Sequence, residues 1–201
     1  ELDQQLDRIN RFEAMLVREG VLLIKFWFHL SKEGQKQRLK MLEKDPKTRW
    51  RVTERDWKYY ALYDRYRETA EHVLRNTSTG MAPWLVVDGS DPRYRALLVG
   101  RTLLDALRKR IEAAQKGWAP RQTAAPLPPS LDNLNLLNSL TLNQEMGKKE
   151  YAEQLELYQG RLALLCRSEK FRQRALVLVF EGGDAAGKGG AIRRITGYPA
   201  N

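Results

Sequence analysis

The chain has 201 residues, with 35 Lys and Arg against 25 Asp and Glu, a net charge of +10 and a 42% hydrophobic complement. That apolar content suffices for a core and excludes wholesale disorder, and runs such as Val21–Ile24 and Ala175–Phe180 fall far short of the roughly 18 residues a membrane span needs. The positive balance points to anionic partners, and charge alone leaves nucleic acid, polyphosphate, nucleotides and acidic headgroups open. Cys166 has no second cysteine to pair with, and Glu1-Leu2-Asp3-Gln4 opens no basic-then-apolar leader, so a cytoplasmic protein is expected.

Leu2, Leu6, Ile9, Phe12 and Leu16 recur at spacings of three and four, which predicts an amphipathic helix ending near Gly20. A strand follows over Val21–Leu30. Its even positions form an apolar face and its odd positions carry Lys25 and His29, a pattern expected of a parallel sheet covered by helices on both sides. Ser31 caps a basic helix running to Lys44, and a basic hinge, Lys47–Arg51, precedes a second helix predicted as continuous from Glu54 to about Arg75. Trp84–Asp88 reads as a short strand and Asp91-Pro92 as the start of a helix to about Ile111.

From Ala119 to Ser130 the composition turns to Pro, Ala, Thr and Gln, and a linker is placed at residues 113–130. Residues 93–121 carry eight Lys or Arg against Asp105 and Glu112, so the basic excess peaks at that boundary. Beyond it, Tyr151, Leu155, Tyr158, Leu162 and Leu165 mark a helix. Ala175–Glu181 follows as a buried strand.

The strongest chemical signal is the loop Gly182-Gly183-Asp184-Ala185-Ala186-Gly187-Lys188-Gly189-Gly190, set between that strand and a helical start at Ala191. Glycines there let backbone amides converge on phosphate oxygens, the helix N-terminus adds partial positive charge, and Lys188 supplies a point charge for a phosphoryl group. Gly189 stands where a Ser or Thr would hold Mg²⁺, so Asp184 is the expected substitute ligand, directly or through water; the alternative is a glycine-rich connection with a solvated Lys188 and Asp184 as a cap.

Phe180–Ile192 resembles the Walker A region of the polyphosphate kinase 2 family, in which an Asp within the loop and a Gly after the lysine are the usual variant, and the helix from Lys148-Lys149-Glu150-Tyr151 resembles that family's lead-in. Gly20–Glu33, Arg49-Trp50-Arg51, Asp56 and Thr77–Trp84 are similar to the later part of the same module. The resemblance implies a P-loop α/β kinase fold in two partial modules. Residues 1–112 would be the lid and last strands of one module, and 131–201 the start of the next, in a tandem type that moves phosphoryl groups between inorganic polyphosphate and AMP or ADP with Mg²⁺. It also implies a homo-oligomeric parent. Asp184 and Lys188 become the catalytic pair, residues 182, 183, 185–187, 189 and 190 the phosphate cradle, and Lys25, Arg38, Arg49 and Arg51 candidates for lid contacts.

The bland readings are a buried Lys25 paired with an acid, a solvated basic helix, and Asp88 capping the Ser90-Asp91 turn. Rival functions are an ATP-dependent nucleoside monophosphate kinase and a non-catalytic polyanion-binding module. On this reading the 201-residue chain is expected to be inactive by itself. Its two segments could in principle dock as complementary portions of one fold, against which stand their reversed order and the missing Walker B strand.

Overall fold

A computed structural model describes residues 1–115, 144–171, 175–183 and 185–197. Most of the proposed linker, and Asp184, lie outside them. The elements are α1 (Leu2–Arg18), β1 (Leu22–His29), α2 (Lys32–Lys44), a 3-10 turn (Arg49–Arg51), α3 (Glu54–Ala61), α4 (Tyr63–Thr77), β2 (Trp84–Asp88), α5 (Pro92–Gln115), α6 (Lys148–Arg167), β3 (Leu176–Gly182) and α7 (Lys188–Thr196).

The three strands make one parallel sheet in the order β2-β1-β3. Lys25 pairs with Trp84 and His29 with Asp88 on one side of β1, while Leu22 pairs with Leu176 and Phe28 with Gly182 on the other. The two segments thus meet in one sheet, the arrangement against which their reversed order spoke. β1 and β3 come from opposite sides of the proline-rich stretch, and β1 supplies a complete row of backbone partners that β3 fills in register.

The even face of β1 builds the main core, as its alternation predicted. Ile24, Phe26, Phe28 and Leu30 pack against Val99, Leu103 and Leu107 of α5, Leu162 of α6 and Ala191 of α7. Phe180 of β3 stacks on Phe26 and Phe28 with ring centroids 5.3 and 5.9 Å apart. On the odd face, Trp27 meets Ala70 and Leu74 of α4, and Leu23 meets Val17 of α1. Helices thus cover both faces of the sheet, which is what lets β1 be apolar on both sides.

Two sequence expectations change. The helix predicted from Glu54 to Arg75 breaks at Leu62 (φ −93°, ψ 9°), because Tyr63 is drawn into the core and its hydroxyl donates to the Leu30 carbonyl at 2.7 Å. Strand β3 is half-exposed rather than buried. It pairs with β1 alone among the described strands, and Val177 retains 37% of its accessible surface. The Ser31 cap is present, its hydroxyl accepting from the Gly34 amide at 3.0 Å.

Candidate active site

The loop between β3 and α7 turns twice through backbone space open mainly to glycine. Gly182 (φ +143°) passes so near β1 that a Cβ would lie 2.1 Å from the Phe28 carbonyl oxygen. Gly187 (φ +98°) caps α7, and a Cβ there would sit 2.0 Å from the guanidinium carbon of Arg95. Ala185 also takes a left-handed conformation (φ +62°). These turns bring Lys188 to the loop mouth, where its ammonium donates to the carbonyls of Gly182 (2.6 Å) and Gly183 (3.0 Å). An ammonium has three protons, so one remains for an anion.

Beside the loop lies a cleft of about 890 Å³ lined by Arg38 of α2, Arg51 of the 3-10 turn, Arg95 of α5, and Lys188, Arg193 and Arg194 of α7. Asp56 is the sole carboxylate among its described lining residues. That aspartate is committed elsewhere: the Thr53 hydroxyl and amide donate to it and hold its carboxyl below the usual range. Arg194 is braced by the Tyr151 hydroxyl of α6 and by the Gly190 carbonyl at 2.9 Å.

Arg95 is the most unusual member. It is 3% exposed, and its Nη1 donates to the Gly89 carbonyl at 2.6 Å, while its Nε is buried with no partner among the described residues. Burial pushes its pKa down to about 10, aided by the positive charges of Arg38 and Arg194 and opposed by Asp91 and Asp88. The Nε of Arg38 is likewise buried without a partner among the described residues. Buried N–H groups are almost always paired in folded proteins, so two free ones in a cationic cleft mark a place built for an anion.

The sequence-predicted residues divide. Arg38 and Arg51 come together with Lys188, Ala185, Gly187, Gly189 and Gly190 around the cleft, whereas Gly182 and Gly183 line a second cavity on the other side of the loop. Ala186 is buried in the main core, and Arg49 does not line the cleft. Lys25 is placed away from it, fully buried, donating to Glu13 at 2.7 Å and to the Thr77 carbonyl at 2.6 Å. Its pKa is lowered by burial, with Glu13 opposing, and burial raises that of Glu13. Asp88 serves the turn, accepting from the Ser90 amide at 2.8 Å, and Asp91 caps α5 through the amides of Arg93 and Tyr94.

Arg95, Arg193 and Arg194 were not singled out from sequence. Among the described residues no group of His, Cys, Asp and Glu could hold a metal ion, and Gly189 offers no oxygen from a side chain. Asp184 remains the sequence's metal candidate.

The comparisons agree with the loop. The profile described as Polyphosphate kinase 2 (PPK2) matches residues 1–115 and 145–199. A protein of Pseudomonas aeruginosa named polyphosphate:AMP phosphotransferase is 57% identical over 196 residues, covering 97% of this chain and 39% of that protein. Its namesake in Pseudomonas syringae pv. tomato is 44% identical over 197 residues, with 96% and 39% covered. An AMP/ADP-polyphosphate phosphotransferase of Meiothermus ruber is 40% identical over 99 residues, covering 49% of this chain and 37% of that protein. The chain thus spans about two fifths of the length of the relatives that it matches nearly end to end. A family profile that matches most of the chain, over residues 1–115 and 145–199, shows the family: the chain belongs to the polyphosphate kinase 2 family.

Proposed function

We propose that this chain forms the donor side of a polyphosphate-dependent nucleotide phosphotransferase. Inorganic polyphosphate lies along the cationic cleft with its terminal phosphoryl at the loop, and AMP or ADP accepts that group. The observation that carries the reading is the convergence of five arginines and Lys188 beside a P-loop, with Arg95 and Arg38 each keeping a buried donor that has no partner among the described residues. A polyanion with one charge per phosphate matches such a row, and the names of the relatives supply the substrate class.

Transfer needs in-line placement and charge neutralisation more than covalent help from the protein. A phosphate oxygen of the acceptor attacks the terminal phosphorus and the bridging P–O bond breaks. The chain of phosphates leaves one unit shorter, with its new terminal oxygen negative. Lys188 and the amides at the start of α7 hold the moving phosphoryl, while Arg38, Arg51 and Arg95 fix the remaining chain. Mg²⁺, with Asp184 as its ligand, would screen phosphate charge when bound. A cytoplasmic location and a homo-oligomeric parent belong to the same proposal.

The test is polyphosphate-driven phosphorylation of AMP and ADP by the whole protein, with polyphosphate binding to this chain measured beside it. Lys188→Ala is expected to lower turnover by about 10²-fold or more with an unchanged circular dichroism spectrum. Turnover within a few-fold of wild type would overturn the catalytic role. Preference for ATP over polyphosphate would assign the chain to ATP-dependent monophosphate kinases, and binding without transfer would leave a polyanion-binding module.

A further inference from the structure

The last turn of α7 carries two successive arginines, Arg193 and Arg194, which both line the cationic cleft and are held differently. Arg193 is exposed, and its Nε donates to the Gly189 carbonyl at 3.4 Å. Arg194 is half-buried. Its Nε donates to the Tyr151 hydroxyl of α6, its guanidinium carbon lies 5.9 Å from the centre of the Tyr151 ring, and its Nη1 donates to the Gly190 carbonyl at 2.9 Å. About two turns further along α6, Gln159 donates to the Arg194 carbonyl at 2.8 Å, so one helix grips both the side chain and the backbone of this arginine. A guanidinium has five N–H donors, and the bonds to Tyr151 and Gly190 leave three without a partner among the described residues.

The chemistry of the brace is informative. Arg194 stands among cations: a Cβ at Gly190 would lie 3.3 Å from Arg194 Nη1 and 3.7 Å from Arg95 Nη2, and the charge of Arg194 helps to lower the pKa of Arg95. In an empty cleft that repulsion drives an unbraced, rotamer-rich side chain towards solvent. A carboxylate would hold the arginine in place but would also cancel its charge and occupy its donors. A phenol is a neutral acceptor with a π face. It fixes the direction of the guanidinium and leaves the positive charge and the remaining N–H groups to an anion.

We propose that Tyr151 is a positioning residue for phosphoryl transfer, touching no phosphate itself and holding Arg194 with its remaining donors along the path of the polyphosphate chain. The proposal rests on reading the cationic cleft as the donor site. It gives α6 a task besides packing: Leu162 is its one buried residue among those described, yet two of its polar side chains are committed to a single arginine.

The test is tripolyphosphate binding to the full chain, measured by calorimetry in a double-mutant cycle of Tyr151→Phe and Arg194→Met. Tyr151→Phe, which keeps the ring and loses the acceptor, is expected to weaken binding about 5-fold and Arg194→Met about 10-fold, and the two together no more than Arg194→Met alone. The slope of log affinity against log salt is expected to fall by about one in both single variants, because the same phosphate contact is lost. In the whole protein, Tyr151→Phe is expected to raise KM for polyphosphate about 5-fold with kcat held within about two-fold. An equal loss from Tyr151→Phe with and without Arg194 would show a packing role and overturn the proposal, as would binding untouched by either single change. Failure of the donor reading shows separately, as tripolyphosphate binding that is indifferent to Arg38→Ala and Arg51→Ala.

Discussion

Lys25 and Arg95 are both cations sealed inside the protein, and the fold treats them in opposite ways. Lys25, in mid-strand, has the Glu13 carboxylate at 2.7 Å, a carbonyl at 2.6 Å and the Trp84 ring beneath it at 5.0 Å. Arg95, under the phosphate loop, donates to one carbonyl and neighbours two arginines; among the described residues no carboxylate forms an ion pair with it, and Asp91 and Asp88 act on it only through space. A buried charge with its counterion ties elements together, here α1, β1 and α4. A buried charge without one raises the free energy of the empty protein and stores affinity for whatever anion arrives. The first kind ties the fold together and the second is open to an anion, although composition counts them alike.

That contrast can be broken from either end. Glu13→Ala strands Lys25 without its partner and is expected to destabilise the chain by about 3–5 kcal/mol in urea, while the double change Glu13→Leu with Lys25→Met is expected to restore most of that. Gly187→Ala forces a Cβ into the Arg95 guanidinium from a left-handed position, with an expected cost of about 2–3 kcal/mol and weaker polyphosphate binding. Gly183→Ala, with open space around it, serves as the control and is expected to be silent on stability.

His29 adds a third treatment, burial in the neutral form. Burial first, and Arg67 second, push its pKa down from 6.5 to about 4, with Asp88 opposing. A depressed pKa contributes stability that is complete above the unfolded value and is lost as pH falls, so unfolding free energy should decline between about pH 6.5 and 4. The loss is on the order of 2 kcal/mol and is expected to be absent in His29→Gln. The smallest effect sharpens the comparison most. Arg95→Met is expected to leave stability unchanged or slightly raised while weakening polyphosphate binding about 10-fold, by calorimetry, which is the reverse of the pattern at Lys25.

Much of this was readable from sequence where one element decides the outcome. The alternation of β1 announced a strand covered on both faces, and the glycine spacing from 182 to 190 announced the phosphate loop. What escaped depended on partners distant in sequence. The break at Leu62 follows from the Tyr63 hydroxyl reaching the Leu30 carbonyl, and the exposure of β3 follows from its place at a sheet edge. Arg95 escaped although a signal existed. It stands in a stripe at four-residue spacing with Val99, Leu103, Leu107 and Ile111, all buried on α5, and an arginine on an apolar stripe marks a candidate functional position. Lys25 was flagged by the same logic on a strand, but only the structure shows that Glu13 answers it.

The order β2-β1-β3 also sets the tempo of assembly. β1 and β2 are joined by α2, α3 and α4 and can pair early, but Leu22 must wait for Leu176, which lies most of the chain away. Closing so long a loop costs entropy before any contact repays it, so the last strand to register should limit the folding rate. That strand carries the phosphate loop. The cleft therefore gains Lys188 only once β3 has registered on β1, and a half-folded chain would hold Arg38 and Arg95 without it.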